Sequence, residues 1–430
     1  MRRSDCRTAS LTSLLLLTAC ATGDPLDTPS TPAGFDRLAA ELDAEMAARV
    51  DDDPIEHTPG VRAARFALAQ AQALAARAGA VPLMADVEHA GRGANHETEL
   101  MVALDLAALV GGGRQAAWRA QAQSELARAE AALAAARFAA KFELERVQTR
   151  FHRVATLQHS LAGLEADAAP TLHRMELLAG KGWLAPRDIE SARAMRHHLD
   201  SSLIEIAAAR AEAQAALAIA YGRADGAALA ELSDYVEAIT PPDAADDEAD
   251  ATRLLREHPA LRVARAEWLM AEAAVRVAAA ERWPALLIGP KAVLTSDDWM
   301  LGGLARLELP WPAAAAAAVD AARRARDAAR EMLSAELAAS RSRVEAARVR
   351  CDIAWQARDD HAVPIAQSRA KQLAAAAARF AADPEELADW TMAFEQRLDA
   401  VLAEVDACEA ATLAAIDLTE ARGITAGEDR

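Results

Sequence analysis

"EHTPGVRAARFALAQAQALAARAGAVP" at Glu56–Pro82 returns as "EHPALRVARAEWLMAEAAVRVAAAERWP" at Glu257–Pro284, about 200 residues later. Pro59 and Pro259, Arg62 and Arg262, Ala64 and Ala264, and Arg65 and Arg265 fall in register. Each copy opens the same series: a helix, two strand-like segments, an Ala-rich helix of great length, a break, and a second long helix running back. Residues 54–222 form the first repeat and 252–418 the second, joined by a connector at 223–251 that carries the acidic run Asp243–Asp250. Two copies of so elongated a unit, with four short strands between them, predict an assembled tube, because such repeats bury their apolar faces against neighbours.

Outward from the repeats, the amino end reads as an export signal over residues 1–19. Arg2 and Arg3 precede a short apolar core at Leu11–Leu17, which is too short to span a bilayer as a helix. The small residues before Cys20 fit a lipoprotein cleavage site that leaves Cys20 acylated, holding the chain at a membrane surface. Ala21 in place of an Asp favours the outer membrane; an ordinary secretory signal with an incidental cysteine is the other reading. Residues 20–53 then form a lipidated tether, and 419–430 a polar tail. Cys351 and Cys408 remain, either paired across a helical hairpin or as two buried thiols. The net charge of −18 argues against a nucleic-acid partner.

The long helices carry the clearest periodicity. Leu333, Leu337, Ser340, Val344, Ala347, Cys351 and Ala354 are spaced alternately by four and three, an a/d seam. Leu126, Ala129, Leu133, Ala136 and Ala140 keep that rhythm, and Leu144, Val147, Phe151 and Val154 resume it after a stutter. Each helix is predicted to run roughly 50 residues, or about 75 Å.

Between the helices the period changes to two. Val81, Leu83, Ala85 and Val87 alternate with Met84, Asp86 and Glu88; Leu100, Val102, Leu104 and Leu106 alternate with Glu99, Met101, Ala103 and Asp105. In the second copy "ALLIGPKAVL" and "LARLEL" play the same part, with turns at Gly91–His96 and Ser296–Leu301. One oily and one wet face is the pattern of a half-exposed strand, here approaching the length that spans a bilayer. The wet face carries Asp86, Glu88, Glu99, Asp105 and Glu308 against Lys291 and Arg306, although a slip of one residue would reverse the faces. Four strands leave two open edges, which hydrocarbon does not tolerate, so a membrane role requires other chains to close the sheet. A soluble hairpin packed on the helices is the alternative, since Pro290 interrupts one strand. Trp283 and Trp311 are placed at one end of the second hairpin, where a membrane interface favours indole.

"ELMVALDLAALVGGGRQAAWRAQAQSELARAEAAL", with Gly112, Gly113 and Arg114 at its turn, and "GLARLELPWP" resemble strand-to-helix junctions of the TolC-type outer-membrane efflux proteins, especially the lipoprotein members of heavy-metal efflux systems. "AGKGWLAPRDIESAR" and "RFAADPEELADWTMA" are similar to that family's periplasmic hairpin tips. The resemblance runs through both repeats. It implies a mainly α fold with a small β part, trimerising into a 12-stranded β-barrel continuous with an α-helical periplasmic barrel. It further implies a passive exit duct serving an inner-membrane pump through a periplasmic adaptor. Lys181, Gly182, Trp183, Leu184, Asp383 and Pro384 take the places of the adaptor-docking tips, and Asp389 and Asp188 those of entrance-gate residues. Asp383–Pro384 replaces the second tip glycine, and Met392 stands where some members carry a second gate carboxylate. An Asp389 ring repeated by threefold symmetry would favour cations.

No G-x-S-x-G elbow, phosphate-cradling glycine loop or H-E-x-x-H is present, so no catalytic residue, cofactor or metal site is assigned. His152, His159, His197 and His198 read as surface residues. Two rivals to the duct are a non-channel periplasmic coiled-coil structural lipoprotein and the adaptor itself, which has one hairpin and more β structure.

Overall fold

The computed structural model describes residues 54–78, 83–92, 95–105, 113–221, 257–294 and 299–424. The expectations for the signal, Cys20, the tether, Gly112, Val81, Leu106 and the connector lie outside them. The first half contains α1 (Pro54–His57), α2 (Pro59–Ala78), β1 (Leu83–Arg92), β2 (Asn95–Asp105), α3 (Arg114–Gly180) and α4 (Pro186–Ala220). The second contains α5 (Pro259–Ala280), β3 (Ala285–Leu294), β4 (Trp299–Glu308) and α6 (Pro312–Gln356). A π-helical segment at Ala357–Ala362, α7 (Val363–Ala382), a 3-10 turn at Pro384–Glu386 and α8 (Leu387–Arg422) complete it. Prolines at or next to the first position open α4, α5 and α6, where the missing N–H costs nothing and the fixed φ suits a helix.

α3 is longer than the periodicity suggested: 67 residues, about 100 Å, unbroken even at Pro170. It packs against α2, α4, α5 and α8 along that length. That many partners explains why its buried positions exceed one seam. Ala129, Leu133, Val147, Phe151 and Val154 are buried as the heptad reading requires, but Phe138 and Phe142 are buried as well, their rings 4.7 Å apart and packed on Ile416 of α8. In α6 the seam holds, with Ser340, Ala347 and Cys351 buried and the other seam positions half-buried. Beyond it the helix departs from the sequence reading at the π segment. Pro364 explains the departure: it has no N–H and its ring crowds the carbonyl four residues back, which a wider turn relieves.

The main core joins the far ends of both helical hairpins. Leu161, Met195, Phe380, Trp390, Phe394 and Leu398, from α3, α4, α7 and α8, form one fully buried cluster. Side chains of this size contribute about 1.5–3 kcal/mol each on burial. Two ion-pair groups tie the halves together along α3 and α8: Arg146 with Asp417 and Glu420, and Arg153 with Asp406 at 2.7 Å and Glu409 at 3.0 Å. Cys351 is buried against Ala415 and Leu418, while Cys408 is half-buried; both are free thiols.

The four strands form one antiparallel sheet in the order β1-β2-β3-β4. β1 and β2 run further into their turn than the sequence indicated, to Arg92 and from Asn95, and β4 begins at Trp299. Pro290 is accommodated inside β3. The β2–β3 ladder runs to Met101 and Lys291 and resumes at Leu104 and Ile288, and Pro290, with no N–H to give, lies in the gap. Ala285 pairs with Glu308, so Trp283 and Trp311 flank the same end of the hairpin, both exposed. The helices meet the sheet at that end, where the Arg114 guanidinium donates to the Trp283 carbonyl at 3.0 Å.

Candidate functional site

The register decides the chemistry of the sheet. Glu88 stands opposite Glu99, Met101 opposite both Asp86 and Lys291, Leu287 opposite both Asp105 and Arg306, and Ala285 opposite Glu308. Following the alternation across all four strands puts Asp86, Glu88, Glu99, Asp105, Lys291, Arg306 and Glu308 on a single face. Arg92 and Glu97 join them; the sequence reading placed Arg92 in the turn and began the second strand only at Glu99, so it missed both. Every Asp, Glu, Lys and Arg of the four strands is therefore on that face, six acids against three bases. The opposite face carries none. It holds residues such as Leu83, Val87, Leu100, Val102, Ile288, Leu301 and Leu307, of which Leu301 is 70% and Leu307 59% exposed. With Ile288, Leu301 and Leu307 exposed, the β3–β4 part of this face is what a lipid-facing surface looks like, and what water penalises. The charged face is not uniformly wet, since Ala285 and Leu287 on it are buried next to the helices.

The hairpin ends turn by two different devices. At the α3 end, the Gly182 N–H donates to the Ala179 carbonyl at 3.0 Å and the Trp183 N–H to the Leu178 carbonyl at 3.1 Å. This is the Schellman pattern, and it requires the left-handed backbone that Gly182 adopts at φ 71°. Lys181 lies over the exposed Trp183 ring at 5.4 Å, while Leu184 drops into the main core. Asp188 sits in the first turn of α4, 3.3 Å from the Arg187 guanidinium, where a carboxylate suits the helix dipole. At the α7 end no glycine is needed. Asp383 is extended at φ −133°, and its carboxylate accepts the Glu385 N–H at 2.9 Å, capping a 3-10 turn opened by Pro384.

Both turns contribute to the main core, so Leu178 and Leu184 share a cluster with Phe380, Leu387 and Trp390. The two aspartates are not bonded to each other. Asp389 instead lies 3.8 Å from Arg379, which also holds Glu386 at 3.3 Å. Asp389 and Met392 line a shallow cavity of about 300 Å³ with Arg379, Gln372 and Gln396. Arg379 partly neutralises Asp389, a contact that spans the turn and that no local pattern reveals. Among the described residues no group of three or more His, Cys, Asp or Glu side chains is placed to hold a metal ion, and no helix is long and apolar enough to cross a membrane.

No family model matches the chain, and no curated protein sequence matches it either. Among solved structures it is similar to a membrane protein from Pseudomonas aeruginosa, 16% identical over 89% of this chain and 94% of that one, with a TM-score of 0.69. The outer membrane protein VceC from Vibrio cholerae is 18% identical over 89% and 96% of the two chains, at a TM-score of 0.66. The Campylobacter jejuni CmeC outer membrane channel is 16% identical over 89% and 86%, at 0.67. The likeness takes in both halves of the molecule, and the chain has the fold of these outer-membrane proteins.

Proposed function

We propose that three copies of this chain form a TolC-type outer-membrane exit duct, a twelve-stranded barrel continued by a tunnel of helices into the periplasm. The observation that carries this reading is the complete segregation of charge on the sheet. A sheet with one face free of charge and the other charged suits a wall between lipid and water. The strands β1 and β4 are edges of the sheet. In lipid their unpaired N–H and C=O groups would cost several kcal/mol each, and threefold assembly removes every edge at once. The shared fold of outer-membrane channels points the same way.

Nothing in such a duct supplies energy, so an inner-membrane pump and a periplasmic adaptor complete the pathway. The adaptor docks at the tips formed by Lys181–Leu184 and Asp383–Pro384, and Asp389 and Asp188 line the entrance. Acylated Cys20 adds an anchor in outer-membrane lipid. The acidic excess on the wet face favours cations over anions, and metal cations are among the solutes it suits. Planar-bilayer recording of the purified protein tests the duct: stepwise conductance with a reversal potential shifted toward cations is the expected result. A soluble monomer once the acyl anchor is removed, or silence despite confirmed insertion of the Asp389→Ala variant, would point instead to a coiled-coil spacer.

A further inference from the structure

A second cavity, of about 430 Å³, opens where α3, the start of α5, α6 and α8 meet, away from the sheet and from both tips. Its polar lining holds three guanidiniums, Arg146, Arg343 and Arg350, with the His258 ring and two carboxylates, Asp417 and Glu420. Two of the three guanidiniums are already engaged. Arg146 holds both Asp417 and Glu420, and Arg343 donates to Glu336 at 2.5 Å. Arg350 is different. Its Nε donates to the Ala346 carbonyl of its own helix at 3.3 Å, and no carboxylate among the described residues pairs with it.

The first turn of α5 adds to the donors. The Arg262 N–H is the first to find a helical acceptor, the His258 carbonyl at 3.0 Å, which leaves the N–H groups of Ala260 and Leu261 without one inside the helix. These groups and the helix dipole favour negative charge at that end. His258 itself is only 6% exposed, and its Nδ1 has no hydrogen-bond partner. The remaining walls are the Phe138 ring and alanines, including Ala135, Ala139 and Ala347. The volume exceeds what a bare oxyanion fills and lies in the range of small-molecule pockets.

We propose that this cavity binds a small organic anion. Its carboxylate or phosphate head meets Arg350, Arg343 and the first turn of α5, and its apolar body lies against Phe138 and the alanine walls. A lipid headgroup at the sheet does not reach it, because Arg146 lies about 48 Å along α3 from Arg114. The ligand is a dissolved solute. The inference uses the helical part alone and stands whether or not the chain conducts.

The test is calorimetric titration of the full-length protein in detergent at constant ionic strength. The probes are benzoate, its uncharged isostere benzamide, and inorganic phosphate. Saturable binding of benzoate and none of benzamide is expected, with affinity reduced roughly tenfold in Arg350→Gln, the scale of losing charge-assisted hydrogen bonds. Arg341→Gln, an exposed arginine of the same helix outside the cavity, should bind as wild type. Circular dichroism verifies the fold of each variant. If Arg350→Gln fails to fold, Ala139→Leu, which fills the cavity without altering a charge, replaces it and should likewise weaken benzoate. The proposal is overturned if folded wild type binds neither benzoate nor phosphate saturably. Equal binding of benzamide, or unchanged benzoate affinity in the folded cavity variant, overturns it equally.

Discussion

At Gly182 and Gly423 the backbone takes a φ of 71°, which an L side chain adopts only at a cost. The two positions differ in their surroundings. A Cβ at Gly182 would meet nothing within 4 Å, so Gly182→Ala should destabilise the protein by about 1 kcal/mol through strain alone. At Gly423 the added carbon would lie 3.0 Å from the His258 ring and 3.1 Å from its Cα, so Gly423→Ala should cost distinctly more; denaturant titrations of the two variants provide the comparison. His258 itself supplies a pH signature. Burial, then the nearby Arg343 charge, hold its imidazole below the ordinary value of 6.5, with Glu336 opposing. The unfolded chain therefore takes up this proton first, and the stability His258 contributes is present above pH 6.5 and lost as pH falls through its lower folded pKa. Glu145 and Glu409 act in the opposite sense. Burial raises both, so their contribution grows as pH falls toward the ordinary carboxylate range. Between pH 7 and pH 5 the unfolding midpoint of His258→Asn should therefore fall less, or rise more, than that of wild type.

At the scale of elements, α3 illustrates how packing exceeds pattern. Phe142 is fully buried, its ring tilted at 58° against that of Phe138 and packed with Ile416. Phe142→Ala should cost about 3–5 kcal/mol, read from the same titrations, because a long helix between several partners has little room to collapse around a void. In the sheet, the direct opposition of Glu88 and Glu99 sets two like charges on adjacent strands. Glu88→Gln should therefore stabilise the sheet by a few tenths of a kcal/mol, and up to about 1. In bilayers it should also move the reversal potential toward weaker cation preference. A rise in heat resistance without the electrical change would separate the structural effect from a lumen role.

At the scale of the whole molecule, the proposed duct depends on assembly at two places, the open edges of the sheet and the second tip. If the duct forms, the protein extracted from outer membranes in detergent should migrate as a heat-resistant trimer and give strand signal in its infrared spectrum. The prediction at the second tip turns on Arg379. Its contact with Asp389 at 3.8 Å and Glu386 at 3.3 Å offsets negative charge near the second tip. Arg379→Ala should raise cation selectivity and strengthen divalent-cation block, whereas Asp389→Ala should lower both. Each partner is more than half exposed, so neither substitution should shift stability by more than about 1 kcal/mol.

Much of this molecule is written in local periodicity. The strands could be located because side chains of a half-buried strand alternate by two, and the α6 seam because a packed helix repeats by sevens. Gly182 and Pro384 marked turns because their backbones admit few alternatives. The seven charged residues assigned to one sheet face followed from the same alternation. Contacts between distant parts of the chain left no such trace. The full length of α3, the burial of Phe138 and Phe142, and the pairing of Arg379 with Asp389 depend on which elements lie alongside. So does the convergence of His258, Arg343 and Arg350 on one cavity. Sequence determined the faces that each strand and helix could offer, because those depend on neighbours a few residues away. Only the tertiary structure decided which faces meet, because that choice is made by shape and charge across hundreds of residues.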